Sequence, residues 1–207
     1  DERIKSKVNQ AFEGEGFLPE PLIQFNPEFE TSKKLESLGV HSSLPKIFGD
    51  FELYQHQTEA IELGINEKGF VVTSGTGSGK SITYLATIFN DLLNQGSTKR
   101  PGVKAILVYP MNALINSQED EIKKFSKTCE ENGIDFPITF SRYTGQEGST
   151  AREEIKNNPP DIILTNYMML ELIMTRHQEK WMRNSFKGQL KYLVFDELHT
   201  YRGRQGS

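Results

Sequence analysis

The chain has 207 residues and a mass of 23.6 kDa, with 24 Lys and Arg against 28 Asp and Glu, a formal charge of −4. That balance excludes a polycation holding nucleic acid by bulk charge; such a partner must be gripped by a local surface. A hydrophobic fraction of 36% with 13 Phe and 7 Tyr excludes a disordered or low-complexity chain.

At this mass about 70% of the extended-chain surface can be buried, enough for one core with an attached arm. The single cysteine, Cys129, excludes an intrachain disulfide and a multi-cysteine zinc site, and is expected as a partly buried thiol near a helix end. His41 and His56 form no metal-ligand pattern. No stretch approaches the roughly 18 apolar residues of a membrane span. The opening DERIKSKVNQ lacks the apolar core of a signal peptide, so an intracellular setting is expected, cytoplasm or nucleoid if bacterial. A start at Asp1 without Met is read as a trimmed chain.

Residues 1–50 carry Gly14, Gly16, Pro19, Pro21, Pro27, Gly39, Pro45 and Gly49 among scattered apolar positions. They are read as an N-terminal arm or extension packed on the domain that begins at residue 51, with helices over 3–12 and near 31–38. From residue 51 the pattern becomes regular. An apolar run at 70–73 is followed by a helix from 80 to about 93, a strand at 103–109 stopped by Pro110, and a helix over 112–131. A third strand is predicted at 136–143, weakened by Pro137, then a short helix at 150–157 and a break at Pro159-Pro160. A strand at 161–165, a helix over 167–180 and a strand at 190–195 complete the series. Apolar strands such as AILVY and YLVF, separated by helices, are what a parallel sheet covered on both faces requires. The expectation is a three-layer α/β domain over 51–207 with a mostly parallel sheet.

The strongest chemistry lies at Thr73-Ser74-Gly75-Thr76-Gly77-Ser78-Gly79-Lys80-Ser81, between an apolar run and a helix. That is the setting of a phosphate-binding loop. Gly75, Gly77 and Gly79 remove side chains that would block a tight turn, so successive N–H groups can face a β-phosphate. The next helix adds unpaired N–H donors, Lys80 a mobile charge for the β- and γ-phosphates, and Ser81 a hydroxyl for Mg²⁺. Ser74 stands where the strict pattern has Gly.

The strand at 190–195 delivers Asp196 and Glu197 to its C-terminal end, where open α/β sheets place ligands. Asp196 is expected to hold Mg²⁺ through its water shell, and Glu197 to polarise the water attacking the γ-phosphate. His199, two residues on, is a candidate for coupling this site to another bound partner. Read alone, an Asp-Glu pair after an apolar run is also a plausible solvated turn. The basic Lys123, Lys124 and Lys127 lie among Glu119, Asp120, Glu121, Glu130 and Glu131 and read as a solvated helix face. His177, Trp181 and Met168-Met169 read as a helix packed on the sheet.

Together the two blocks resemble motifs I and II of superfamily 2 helicases and translocases, with Asp196-Glu197-Leu198-His199 as a DExH box. Leu53-Tyr54-Gln55-His56-Gln57 resembles the family's Q motif, which implies that Gln57 reads the adenine edge, with Tyr54 or Phe51 packing on the base. Tyr109-Pro110-Met111-Asn112-Ala113-Leu114 resembles motif Ia. Arg142-Tyr143-Thr144-Gly145 and Leu164-Thr165-Asn166-Tyr167 look like elements around motif Ib. The resemblance implies strand contacts, mostly to phosphate and sugar, at Pro110, Asn112, Arg142, Gly145, Thr165 and Asn166. Without it, each segment is an ordinary strand-to-helix junction.

The resemblance covers roughly 51–207, the first RecA-like motor domain up to motif II. A narrower echo, at 53–57 and 196–207, is similar to bacterial and fungal DNA repair helicases distantly related to RecQ; related motors serve anti-phage defence. It implies ATP and Mg²⁺ as cofactors, single-stranded DNA as the first partner with RNA as an alternative, and a second RecA-like domain C-terminal to this one. The parent is then a 3′→5′ DNA helicase or translocase. The alternatives are an RNA helicase, a duplex-DNA translocase of a defence or restriction system, or a non-catalytic nucleotide-dependent scaffold. With no motif III, motif VI or second lobe in these residues, the piece alone is expected to bind nucleotide weakly and turn it over poorly.

Overall fold

The computed structural model describes residues 2–12, 29–75, 77–96 and 100–201. Helix α1 (Glu2–Phe12) lies where its pattern predicts. Strand β1 (Thr31–Lys34) leads into a 3₁₀ turn over Leu35–Leu38, then helix α2 (Leu44–Phe48) and strand β2 (Glu52–Tyr54). Helix α3 (Gln55–Ile65) precedes the loop, and α4 (Lys80–Gln95) comes directly after it. Then come β3 (Ala105–Tyr109), α5 (Asn112–Glu131), β4 (Phe140–Arg142), α6 (Ser149–Asn157) and β5 (Ile162–Asn166). Helices α7 (Tyr167–Thr175) and α8 (Lys180–Phe186) lead to β6 (Tyr192–Phe195) and a 3₁₀ turn at Leu198–Thr200.

The main sheet runs β4-β5-β3-β6, with every pairing parallel. Leu107 stands opposite Leu164 on one side and Val194 on the other. All five residues of β3 are buried, because it has a neighbour at each edge and helices over both faces. Side-chain alternation divides them. Ala105, Leu107 and Tyr109, with Ile162 and Leu164, face a layer containing Ile61 of α3, Leu85 and Phe89 of α4 and Ile115 of α5. Ile106, Val108 and Ile163 face the opposite layer, with Met169 and Ile173 of α7 and Met182 of α8. Each fully buried aliphatic or aromatic side chain contributes about 1.5–3 kcal/mol by leaving water. The result is three layers. Cys129 is fully buried in the first layer rather than partly so, and burial pushes its thiol up.

Other sequence expectations change as well, and the strand predicted at 136–143 is confined to β4 (Phe140–Arg142). Residues 31–38 form a strand and a 3₁₀ turn instead of a helix: β1 pairs antiparallel with β2, and Gly39 in the left-handed region (φ 69°) ends the turn. Tertiary pairing overrides local propensity here. Residues 70–73 enter no ladder, and Val71 is 75% exposed. A strand exists only when a neighbour meets its N–H and C=O groups. Among the described residues β6 pairs only with β3, leaving Leu193 and Phe195 partly open. The helix expected over 167–180 stops at Thr175, where Arg176 turns extended and Arg183 donates to the carbonyls of Ile173 and Arg176.

Residues near 50 mark no break in packing, since Leu35, Leu44 and Ile47 join the core that holds Leu53 and Ile61. Gly14, Gly16, Pro19, Pro21 and Pro27 of the N-terminal arm lie outside the described residues. At the α3–α4 crossing Gly64 permits a close approach: a Cβ there would lie 2.5 Å from Thr87 Oγ1. Gly64→Ala is therefore expected to destabilise the domain by about 1–3 kcal/mol, read as faster hydrogen exchange in α3 and α4.

Candidate functional site

Parallel pairing brings the C-terminal ends of all four strands to one side, so the segments after Tyr109, Arg142, Asn166 and Phe195 emerge together. The glycine-rich loop bends through left-handed positions at Gly77 (φ 78°) and Gly79 (φ 67°), the latter capping α4. With 70–73 unpaired, the loop is held from other directions. Ser74 Oγ and Ser78 Oγ lie 2.6 Å apart, and Lys80 Nζ donates to the carbonyls of Ser74 and Gly75 at 3.0 Å each. From α3, Gln57 Nε2 donates to the carbonyls of Ser78 and Gly79 at 3.1 Å each, and His56 Nε2 donates to the Ser78 carbonyl at 3.1 Å. Gln57 Oε1 accepts from Tyr54 N–H at 2.9 Å.

Gln57 is thus 4% exposed, with both amide hydrogens engaged by the loop. Its side chain fixes the loop's shape and retains only acceptor capacity. A Cβ at Gly79 would fall 2.6 Å from Gln57 Nε2, at a φ that L-residues avoid. Gly79→Ala is expected to weaken nucleotide binding by about tenfold or more, measured by calorimetry on the full-length protein. Tyr54 packs against His56 and Phe29, while Phe51 lies 42% exposed beside the loop. Thr76 lies outside the described residues.

Asp196 N–H donates to the Val108 carbonyl, continuing the β6–β3 pairing to the last position before the box. Burial pushes the Asp196 carboxyl up; Glu197's N–H bond to it and the Lys80 charge oppose this. Tyr84 of α4 links the loop helix to this strand end, its hydroxyl 3.3 Å from that of Tyr109, and its phenol is raised by burial and by the nearby Asp196 charge. Lys80, Ser81 and Asp196 therefore share one end of the sheet. Glu197 adopts the left-handed region (φ 48°), unusual for a side chain this large. Thr200 holds it there with N–H and hydroxyl bonds to the Glu197 carbonyl, both 2.8 Å. His199 Nδ1 lies 3.3 Å from Glu197 Oε2.

On the neighbouring strand ends, Asn166 Nδ2 donates to Asn112 Oδ1 at 2.9 Å, joining two of the expected contact segments. Asn166 Oδ1 also caps α7 by accepting from Met169 N–H. Pro110 lies half-buried between β3 and α5. Arg142 is engaged internally, with Asn116 Oδ1 at 2.6 Å and Glu147 at 3.3 Å. Burial works against the Glu147 charge, but bonds from the Thr144 N–H and hydroxyl and the Gly145 N–H hold its carboxyl low. Gly145 (φ 88°) offers that bond from a position suited to glycine. Thr165 departs from expectation: it is fully buried and its hydroxyl donates to the Tyr143 carbonyl, so its side chain faces the core. The contacts of His56 with the loop and of Asn116 and Glu147 with Arg142 are not foreseen from the sequence. Only His56 carried a usable hint, standing beside Gln57 in the first turn of a helix next to the loop.

The model of the DEAD/DEAH box helicase family matches residues 54–207. The chain belongs to this family. An uncharacterized ATP-dependent helicase of Methanocaldococcus jannaschii, MJ1574, is 36% identical over 76% of this chain and 22% of its own length. The uncharacterized ATP-dependent helicase YprA of Bacillus subtilis is 33% identical over 75% of this chain and 19% of its own. The crystal structure of the DUF1998 helicase MrfA bound to DNA and AMPPNP superposes with a TM-score of 0.71 at 25% identity, covering 96% of this chain and 26% of that one. The chain thus spans about a fifth of the length of the relatives it matches. As a DEAD/DEAH box domain it has the expected RecA-like arrangement, a parallel sheet flanked by helices.

Proposed function

We propose that this chain is the nucleotide-binding lobe of an ATP-driven motor that moves along DNA, with residues 51–207 forming the lobe. The observation that carries this reading is geometric: the glycine-rich loop runs into α4 at Lys80, Tyr84 of α4 meets Tyr109 at the end of β3 with 3.3 Å between hydroxyls, and Asp196 N–H donates to the Val108 carbonyl of the same strand. The loop N–H groups and the start of α4 receive the phosphates, and Lys80 leaves its loop carbonyls to pair with the β- and γ-oxygens. Ser81 and Asp196 supply hard oxygen donors, a set that suits Mg²⁺. When bound, Mg²⁺ offsets phosphate charge. Glu197, whose carboxylate lies beside His199, orients the attacking water.

Asn112, Asn166 and the neighbouring backbone form the strand-contacting surface, with Arg142 drawn on after release from Glu147. DNA is favoured because the well-superposed MrfA structure contains it. A second RecA-like lobe would complete the hydrolytic site.

The test is ATP turnover by the full-length protein with single-stranded DNA, RNA and hybrid substrates. Turnover is expected to rise with single-stranded DNA and to vanish in Lys80→Ala. Affinity should fall with salt, log K dropping by about 0.7 per phosphate contacted against log salt. Stimulation by RNA alone, or salt-insensitive binding, contradicts the reading.

A further inference from the structure

Beside Gly79 lies a cavity of about 300 Å³ with Phe51, Phe125 and Ile82 among its apolar walls and Gln57 and Glu121 among its polar ones. The α5 carboxylate reaches it at the end of a directed polar chain. Tyr84 donates its hydroxyl proton to Gln118 Oε1 at 3.3 Å, and Gln118 Nε2 donates to Glu121 Oε2 at 2.7 Å. Tyr109 Oη, 3.3 Å from Tyr84 Oη, then supplies its own proton to Tyr84, whose hydrogen is already committed. Gln118 is only 6% exposed, so a buried amide holds Oε2 of Glu121, an exposed residue at the rim of the cavity, and Oε1 is left without a hydrogen bond from Gln118.

The chemistry of the cavity is one-sided. Aromatic walls suit a flat heterocycle, while both hydrogens of the Gln57 amide are bonded to the loop. Glu121 and the remaining lone pair of Gln57 Oε1 are acceptors, and neither can donate. The pocket therefore rewards a base edge that carries an amine and opposes one presenting a carbonyl oxygen there.

We propose that Glu121 is a specificity-determining residue that accepts a hydrogen bond from the exocyclic 6-amino group of the bound adenine. This rests on the proposed nucleotide binding and adds to it the residue that distinguishes the base.

The test is competition of Mg·ATP, Mg·purine riboside triphosphate (which lacks the amine) and Mg·GTP against labelled AMPPNP. It uses the full-length protein in a Glu197→Gln background. With Glu121 present, ATP is expected to bind about 10–100-fold tighter than the purine analogue, the range for a hydrogen bond to a charged group. Glu121→Ala should bring that ratio to about 1–2, and Glu121→Gln, whose amide oxygen still accepts, to about 2–10. An unchanged ratio in both variants, or tighter binding of GTP than ATP, overturns the assignment. Absence of binding by every triphosphate, or indifference to Lys80→Ala, overturns the nucleotide reading and this inference with it.

Discussion

Glu197→Gln in the full-length protein is expected to leave Mg·ATP affinity within about twofold and to lower DNA-stimulated turnover by about 10²–10⁴-fold. The substitution keeps the size of the side chain and removes only its capacity to take up a proton. Among the described residues, the bonds holding Ser74, Ser78 and Lys80 come from the loop itself and from α3, not from that carboxylate. The Thr200 bonds that fix the 197 backbone go to the carbonyl and survive the change. Turnover and equilibrium binding measured on the same preparation separate the two effects. Retained turnover would place the water-orienting group elsewhere, and lost affinity would make Glu197 a binding residue.

The second large effect lies at the opposite end of the strands. Lys104 Nζ and Asp161 Oδ1 form an ion pair at 3.0 Å with both side chains under 5% exposed. Asp161 Oδ2 also accepts from the Thr139 N–H and hydroxyl at 2.8 Å each, while Lys104 donates to the Gly102 carbonyl. The pair ties the starts of β3, β4 and β5 together. Asp161→Ala leaves a buried ammonium without its counter-charge and the two Thr139 donors unmatched, so it is expected to destabilise the domain by about 3–5 kcal/mol. Amide exchange in β3 and β5 of the intact protein should quicken by about 10²-fold or more, with nucleotide affinity of the folded fraction unchanged. Lys104→Met combined with Asp161→Leu should be less damaging than the two single effects added, by about 0.5–3 kcal/mol. Strict additivity would mean that the pair carries no interaction energy.

The contrast between these two regions shows where sequence reading succeeds. The loop at 74–81 was legible because its glycines and lysine act within a few residues of one another, and α5 matched its predicted span of 112–131. The alternation of apolar strands and helices likewise yielded the parallel sheet, since each strand carries its own burial pattern. Residues 31–34 were misread because four exposed residues become a strand only when β2 lies beside them. Residues 70–73 erred the other way, an apolar run with no ladder partner among the described residues.

Within the site, residue types were legible and their hydrogen-bond partners were not. A glutamine suited to adenine reads the same on paper whether its amide faces a base or, as at Gln57, two loop carbonyls. Thr165 and Arg142 carry donors that a phosphate would accept, yet a buried carbonyl and a carboxylate claim them first. Glu121 reads as one more charge on an exposed helix face, and only the fold sets it at the rim of a cavity with the buried Gln118 bonded to it. Chemistry carried by contiguous residues was written in the chain, because covalent spacing holds those groups together. Which donor meets which acceptor was decided by folding, because such partners lie on separate elements and compete for the same few atoms.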